Sequence, residues 1–288
     1  MKLYSKEKIK LIKSVESPPS VYKGVFNRQE VEKLIEIEEN YGSARLVDRA
    51  DSRKTKLEGD SEIRTVITDK IEEVLKKKIR IGDLTAHFIK SRFPLRIHSD
   101  MGKDTNLIPY KNILIPLYVR GAKTTYTILF KQKWYGESSL FSKTMTGISS
   151  DYFFKDIDDK FVYVEDATDF VNKLKSNIGS VVRYAGESFL SSTSSIEEIE
   201  ALLRQKRYSV RTDKHITSNE PFDKVQYEKY LTHQPYEDLE GLKIDKIVPW
   251  CPGDIITFNR STIHCASNFL NEGVTEKLAI AMFTIIED

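Results

Sequence analysis

Segments rich in β-branched and aromatic residues dominate the middle and the end of this chain, and they constrain its fold most. Asn112–Val119 and Thr124–Phe130 are the clearest, separated by the turn residues Arg120-Gly121-Ala122-Lys123. That composition, bounded by turn signals, reads as strand. Pro116 lacks a backbone donor, which predicts an edge strand or a bulge at that point. From Asp83, Leu84, Ala86 and Phe88 alternate with Thr85, His87 and Ile89, and Pro94 interrupts before Leu95 to His98. The β pattern returns at Ile244 to Trp250, Ile255 to Phe258 and Lys277 to Ile286, with turns at Pro252-Gly253-Asp254 and Asn271-Glu272-Gly273.

Two one-sided helices precede these strands. Asn27-Arg28-Gln29-Glu30 reads as a capping box. Val31, Leu34, Ile35 and Ile37 then form an apolar stripe as far as Asn40-Tyr41-Gly42. Ile63, Val66, Ile67, Ile71, Val74 and Leu75 recur at three- and four-residue steps, predicting a second helix from about Ser61 to near Lys78. Residues 1–25, with Pro18-Pro19, read as an irregular lead-in, and the polar stretch 43–60 as loop. Helices first and many short strands afterwards suggest an α+β, mainly β fold, an antiparallel barrel or sandwich with the helices packed outside. Residues 131–235 are the least legible. Phe161–Val164 and Ser180–Tyr184 look like strands, Ser191–Ser195 like a break and Ile196–Gln205 like a short helix. The region reads as an insertion, a candidate lid or substrate wall.

At 288 residues the chain can bury a sizeable core. Lys+Arg of 45 against Asp+Glu of 43 leaves +2, so no broad basic footprint for nucleic acid stands out. Lys76-Lys77-Lys78 reads as a solvated helix end favoured by the helix dipole. Cys251 and Cys265 are too few for a disulfide scaffold. The basic N-terminus has no continuous apolar core, and the longest apolar run, Leu278 to Ile286, is too short to span a bilayer. These points predict a cytoplasmic protein with no membrane partner.

Within this frame Arg96-Ile97-His98-Ser99-Asp100 puts an imidazole and a carboxylate two residues apart, on one side of a strand. Gly253-Asp254-Ile255-Ile256-Thr257-Phe258 leads through a loop to His264. Two histidines and one carboxylate with open positions beside them suit a divalent first-row ion, Fe(II) above all. An H-x-D triplet is a weak signal alone. Lys277 strengthens it, because a lysine entering an apolar strand calls for an anionic partner.

RIHSD, PGDIITFNRSTIH and EKLAIAMFT resemble the Fe(II)- and 2-oxoglutarate-dependent dioxygenases, and NILIPLY followed by TYTILF is similar to strands of uncharacterised phage-type members. The resemblance covers roughly 84–131 and 244–288. It implies a double-stranded β-helix, the jelly-roll or cupin-like core. One oxygenase domain would then span 1–288: a helical flank (1–82), the first half of the core (83–131), an insertion with remaining strands (132–243) and the second half (244–288). It also implies His98, Asp100 and His264 as iron ligands and Lys277 as the anchor of the far carboxylate of 2-oxoglutarate. O2 would be the oxidant and succinate and CO2 the co-products. Many members place a serine two residues after the basic residue; here Ala279 stands there, so Thr127 or Tyr110 is expected to supply the missing hydroxyl. The retained Asp100 favours hydroxylation over halogenation, on a small-molecule or peptidyl substrate. The alternative reading is a non-catalytic cupin-like metal or sugar-binding module. Arg96 is expected in a surface ion pair, Arg260 and Asn268 at the pocket or capping loops, His87, His215 and His233 as structural or exposed, and Trp250 and Phe258 as core. Cys265 beside His264 is poorly placed for a thiol nucleophile, because neighbours on a strand face opposite ways.

Overall fold

A computed structural model describes residues 3–40, 45–48, 52–57, 62–102, 105–121, 123–136, 139–140, 153–155, 161–163, 181–184, 187–190 and 220–286. The chain divides into two compact units, one formed by Ser142–Arg211 and the other by Lys2–Phe141 with Thr212–Asp288. His215 and the expected helix at 196–205 lie outside the described residues.

The larger unit opens with helix α1 (Lys6–Val15), strand β1 (Ser20–Tyr22) and helix α2 (Arg28–Asn40). The lead-in is therefore more regular than its sequence suggests. α1 carries only Ile12 as a buried residue, and its lysines mask the pattern. The capping box of α2 is formed as its residues dictate: Asn27 Oδ1 accepts from Glu30 N at 3.0 Å, and Asn27 N donates to Glu30 Oε2 at 2.8 Å. β2 (Arg45–Asp48) and β3 (Ser52–Lys56) replace the loop expected at 43–60. Their polar residues obscured them, but β3 is an outlying strand that pairs with β2 and β4. Helix α3 (Glu62–Leu75) follows, then β4 (Arg80–Ser91), β5 (His98–Ser99), β6 (Ile108–Gly121), β7 (Tyr126–Lys133) and β8 (Ser139–Leu140).

The smaller unit contributes β9 (Phe153–Lys155), β10 (Phe161–Tyr163), β11 (Val181–Tyr184) and β12 (Glu187–Leu190), an antiparallel sheet in the order β10-β9-β11-β12. The two strands read at Phe161–Val164 and Ser180–Tyr184 are among them. In the chain this unit falls between β7 and β13 (Ile244–Pro249), which pair directly. The residues after it, from Glu220, return to the larger unit with a short helical turn α4 (Lys224–Gln226) before β13. β14 (Ile255–Asn259), β15 (Thr262–Ala266) and β16 (Val274–Ile286) complete the chain.

These strands form a seven-stranded sheet, β1-β14-β6-β16-β4-β3-β2, and a five-stranded sheet, β13-β7-β15-β5-β8. Eight of them wind between the two sheets. β4, β6, β14 and β16 lie in the first and β5, β7, β13 and β15 in the second, every pairing antiparallel. That order is a double-stranded β-helix, the jelly roll, as the sequence resemblance implied.

The larger sheet is apolar on its outer face. Phe88, Ile113, Ile115, Leu117, Ile255, Leu278, Ile280 and Met282 pack there with Val31 and Leu34 of α2 and Ile67 and Ile71 of α3. Each such side chain contributes about 1.5–3 kcal/mol on burial. Glu38 of α2 is held over the same face by Arg53 Nε at 2.8 Å and Lys90 Nζ at 3.1 Å. The inner face carries Leu114, Val119, Ile256, Phe258 and Ala279, packed with Leu129, Val248 and Trp250 from the other sheet. Pro116 sits in a central strand, not at an edge. Its missing donor is accommodated by a bulge, where the register jumps from Leu278↔Tyr118 to Ala279↔Pro116. The extra residue leaves Ile113, Ile115, Leu117 and Tyr118 with the outer cluster and returns Val119 to the inner face.

Candidate metal centre

β5 and β15 are antiparallel neighbours, and His98 and His264 are direct register partners. His264 therefore stands on a strand and not in a loop. The two rings lie 4.1 Å apart between centroids. Asp100 follows β5 and completes the group: His264 Nε2 lies 3.1 Å from Asp100 Oδ2, and His98 Nε2 lies 3.7 Å from Asp100 Oδ1. One donor atom from each of the three falls within 4.8 Å of the others. The structure thus brings together the three predicted ligands.

Backbone contacts prepare these groups to bind an ion. His98 Nδ1 faces the carbonyl of Arg96 at 2.7 Å, and His264 Nδ1 faces the carbonyl of Thr262 at 2.9 Å. A carbonyl only accepts, so each Nδ1 carries the proton and each Nε2 keeps its lone pair for a metal. Burial lowers the His98 pKa to about 4, with the charge of His264 acting the same way. Burial alone would raise the Asp100 pKa, but His98, His264 and Arg260 outweigh it and hold the carboxyl well below the usual range. Two imidazole Nε2 atoms and an ionised carboxylate are the donor set that a divalent first-row ion needs. The residues fit Fe(II).

Two supporting residues were less visible in the sequence. Asn112 of β6, buried on the inner face, donates Nδ2 to Asp100 Oδ2 at 3.0 Å. Its only signal was a polar residue at the head of the apolar run NILIPLY. Arg260, also buried, donates Nε to the Asp100 carbonyl at 2.7 Å and Nη1 to the Thr284 carbonyl at 3.3 Å, fixing the chain on the far side of Asp100. Gly102 is required beside it: its φ is +84°, and a Cβ there would stand 2.9 Å from Arg260 Nη2. Asn268 caps its loop, donating to Thr232 Oγ1 at 2.8 Å. Arg96 contributes its carbonyl, and its side chain is exposed.

Lys277 starts the run of inward residues on β16 and is 4% exposed. Its Nζ lies 3.8 Å from the centre of the Trp250 ring and 5.0 Å from that of Phe269. Among the described residues no carboxylate pairs with it. Burial lowers its pKa to about 7. Trp250 packs in one apolar cluster with Phe258, whose ring meets that of His264 at 4.6 Å, so lysine and triad share the interior. These two aromatics, read from sequence as plain core, form the floor between them. Thr127 is buried beside the lysine's platform, its Oγ1 accepting from Trp250 Nε1 at 2.8 Å. Tyr110 is not brought there. Val119 is the β6 partner of Lys277, and Tyr110 is nine residues away along that strand, with Lys77 and Lys111 against its ring. At about 3.3 Å per residue it lies roughly 30 Å off. Cys265 is buried and free, and burial raises its thiol pKa, so it is an inert packing group.

No family model matches the chain, and no curated protein matches it. Among solved structures it is similar to the non-heme alpha ketoglutarate dependent carbocyclase SnoK from nogalamycin biosynthesis. That pair shares 11% identity at a TM-score of 0.43, covering 99% of this chain and 85% of the other. HygX from Streptomyces hygroscopicus with nickel and 2-oxoglutarate bound matches at 13% identity and a TM-score of 0.40, covering 98% and 87%. The viral collagen prolyl hydroxylase of Paramecium Bursaria Chlorella virus-1, a 2OG complex, matches at 10% and 0.37, covering 94% and 97%. At such identities and scores these likenesses carry no functional weight, and the strand order and site geometry stand on their own. Among the described residues no helix is long and apolar enough to cross a membrane.

Proposed function

We propose that the protein is an Fe(II)- and 2-oxoglutarate-dependent oxygenase that hydroxylates a C–H bond of a small-molecule or peptidyl substrate. The observation that carries this reading is Lys277, a buried ammonium with no carboxylate partner among the described residues, facing the same interior as a ready His-Asp-His donor set. An isolated buried charge is costly. A dicarboxylic co-substrate supplies the missing partner with one carboxylate and leaves the other end for the metal.

When bound, iron supplies O2 activation coupled to oxidative decarboxylation of 2-oxoglutarate to succinate and CO2. The protein's own residues do the rest. His98, Asp100 and His264 would hold the ion. Asn112 and Arg260 keep Asp100 oriented. Lys277 and the Thr127–Trp250 pair receive the co-substrate's far carboxylate. Phe258, Leu129, Ile256 and Ala279 pack with Trp250 as a buried apolar cluster that excludes water. Two free cysteines fit a cytoplasmic setting. A non-catalytic cupin-like metal or sugar-binding module needs the triad but has no use for Lys277. Fe(II)-loaded protein should therefore be stabilised against heat by 2-oxoglutarate and, in air, convert it slowly to succinate. His264→Ala should lose the succinate and keep the fold. The absence of both stabilisation and succinate in the parent protein would sink the oxygenase reading.

A further inference from the structure

His87 is the buried group in this interior that the roles above leave unused. It lies on β4 between Ala86 and Phe88, which pack on the outer, helix-covered face, so its own side chain faces inward. It is the register partner of Ala281 on β16, and its ring meets that of Phe283 at 5.5 Å between centroids. The residue is 6% exposed, and among the described residues neither ring nitrogen has a hydrogen-bond partner. Burial keeps it neutral, so one nitrogen donates and the other accepts. An unpaired buried polar group costs stability and returns nothing to the fold.

Its position explains what the cost is for. Ala281, the partner of His87 on β16, pairs with Leu114 of β6, and Phe283, whose ring His87 meets, pairs with Asn112, which is bonded to Asp100. Two strand spacings, about 10 Å, separate β4 from β6. His87 thus stands on the inner face on the Asn112 side, close enough for the charge of Asp100 to act on it. Lys54 of β3 joins it. Its neighbours in register, Arg53 and Lys90, both reach Glu38 on the outer face, which turns Lys54 and its partner Ile89 inward. The charge of Lys54 acts on both His87 and His98, and no carboxylate pairs with it among the described residues.

We propose that His87 and Lys54 form the primary-substrate wall of this site and take a carboxylate-bearing small molecule. His87 donates an N–H to a carboxylate oxygen, and Lys54 supplies the positive charge. The assignment rests on the oxygenase reading and names the class of its substrate.

The test uses the full chain loaded with Mn(II) and saturating 2-oxoglutarate. Acetate, butanoate and benzoate are the probes, with the matching primary amides as neutral controls, and paramagnetic relaxation of the probe protons is read by NMR. The acids should show saturable enhancement, and the amides should bind at least tenfold more weakly. His87→Leu and Lys54→Met should each weaken acid binding at least tenfold and leave 2-oxoglutarate affinity within twofold. His87→Leu should also raise the melting temperature, the opposite of what loss of a structural histidine does. Acids that fail to bind, amides that bind as well, or acid binding unchanged in His87→Leu would overturn the proposal. A titration of the Mn(II)-loaded protein with 2-oxoglutarate alone separates the two ideas: failure of the co-substrate to bind removes the oxygenase reading, whereas failure of the acids alone removes only this one.

Discussion

The two faces of the seven-stranded sheet are built from the same strands and do different work. On β16, Leu278, Ile280 and Met282 point outward into the helix-covered core, while Lys277, Ala279 and Ala281 point inward. On β4, Phe88 faces the helices and His87 the interior; on β6, Ile113 faces out and Asn112 in. The outer face holds mostly apolar side chains that close on α2 and α3, with Arg53 and Lys90 paired to Glu38. Among the described residues, the inner face holds a lysine with no anion, an imidazole with no hydrogen-bond partner and an asparagine committed to a carboxylate. Alternation along a strand lets one face specify the fold and the other bear groups that are costly to bury.

Substitutions that strike one face or the other should separate stability from binding. Ile280→Ala, on the outer face, should cost about 2–5 kcal/mol of stability and leave 2-oxoglutarate affinity unchanged, as read by denaturant unfolding and calorimetry. Lys277→Met, one face over, should reverse that pattern: a higher melting temperature, and co-substrate binding weakened by about 2–5 kcal/mol. A stable Ile280→Ala, or a Lys277→Met that loses stability and keeps binding, would break the division. Asn112→Ala should lower metal affinity about 10–100-fold by releasing Asp100, measured by chelator competition; an unchanged affinity would return Asn112 to packing.

The pH dependence sharpens the same contrast. The Lys277 pKa falls from its ordinary 10.5 to about 7 on folding, so between those values the unfolded chain binds more protons, and stability rises with pH. The ammonium that binds a carboxylate is lost over the same window. Affinity for 2-oxoglutarate should then fall by up to about tenfold per pH unit above 7, while the ligand-free protein gains stability. Both slopes should flatten in Lys277→Met. The smallest effect expected is Gly102→Ala, about 1 kcal/mol for a left-handed residue pressed against Arg260, with a modest loss of metal affinity.

The sequence announced the outer face more plainly than the inner one. The apolar periods of α2, α3, β6 and β16 are visible because burial against helices demands them. The polar β2 and β3 escaped notice because paired outlying strands need no such period. α1 escaped because its lysines hide a single buried isoleucine. His98, Asp100, His264 and Lys277 were legible as polar residues inside or beside strands. Asn112 and His87 were not, since one asparagine or histidine in a strand signals nothing until its face is known. Tyr110 was misplaced for a related reason: the distance along β6 shows only once the register with β16 is fixed.

The most direct measurement is an anaerobic titration of the Fe(II)-loaded protein with 2-oxoglutarate, followed by visible absorption. Joint binding by the triad and Lys277 predicts a weak metal-to-ligand charge-transfer band that saturates with co-substrate. It should be absent in His264→Ala and need far more 2-oxoglutarate in Lys277→Met. No band at any concentration in the parent protein, or a band that Lys277→Met leaves unaltered, would contradict the account.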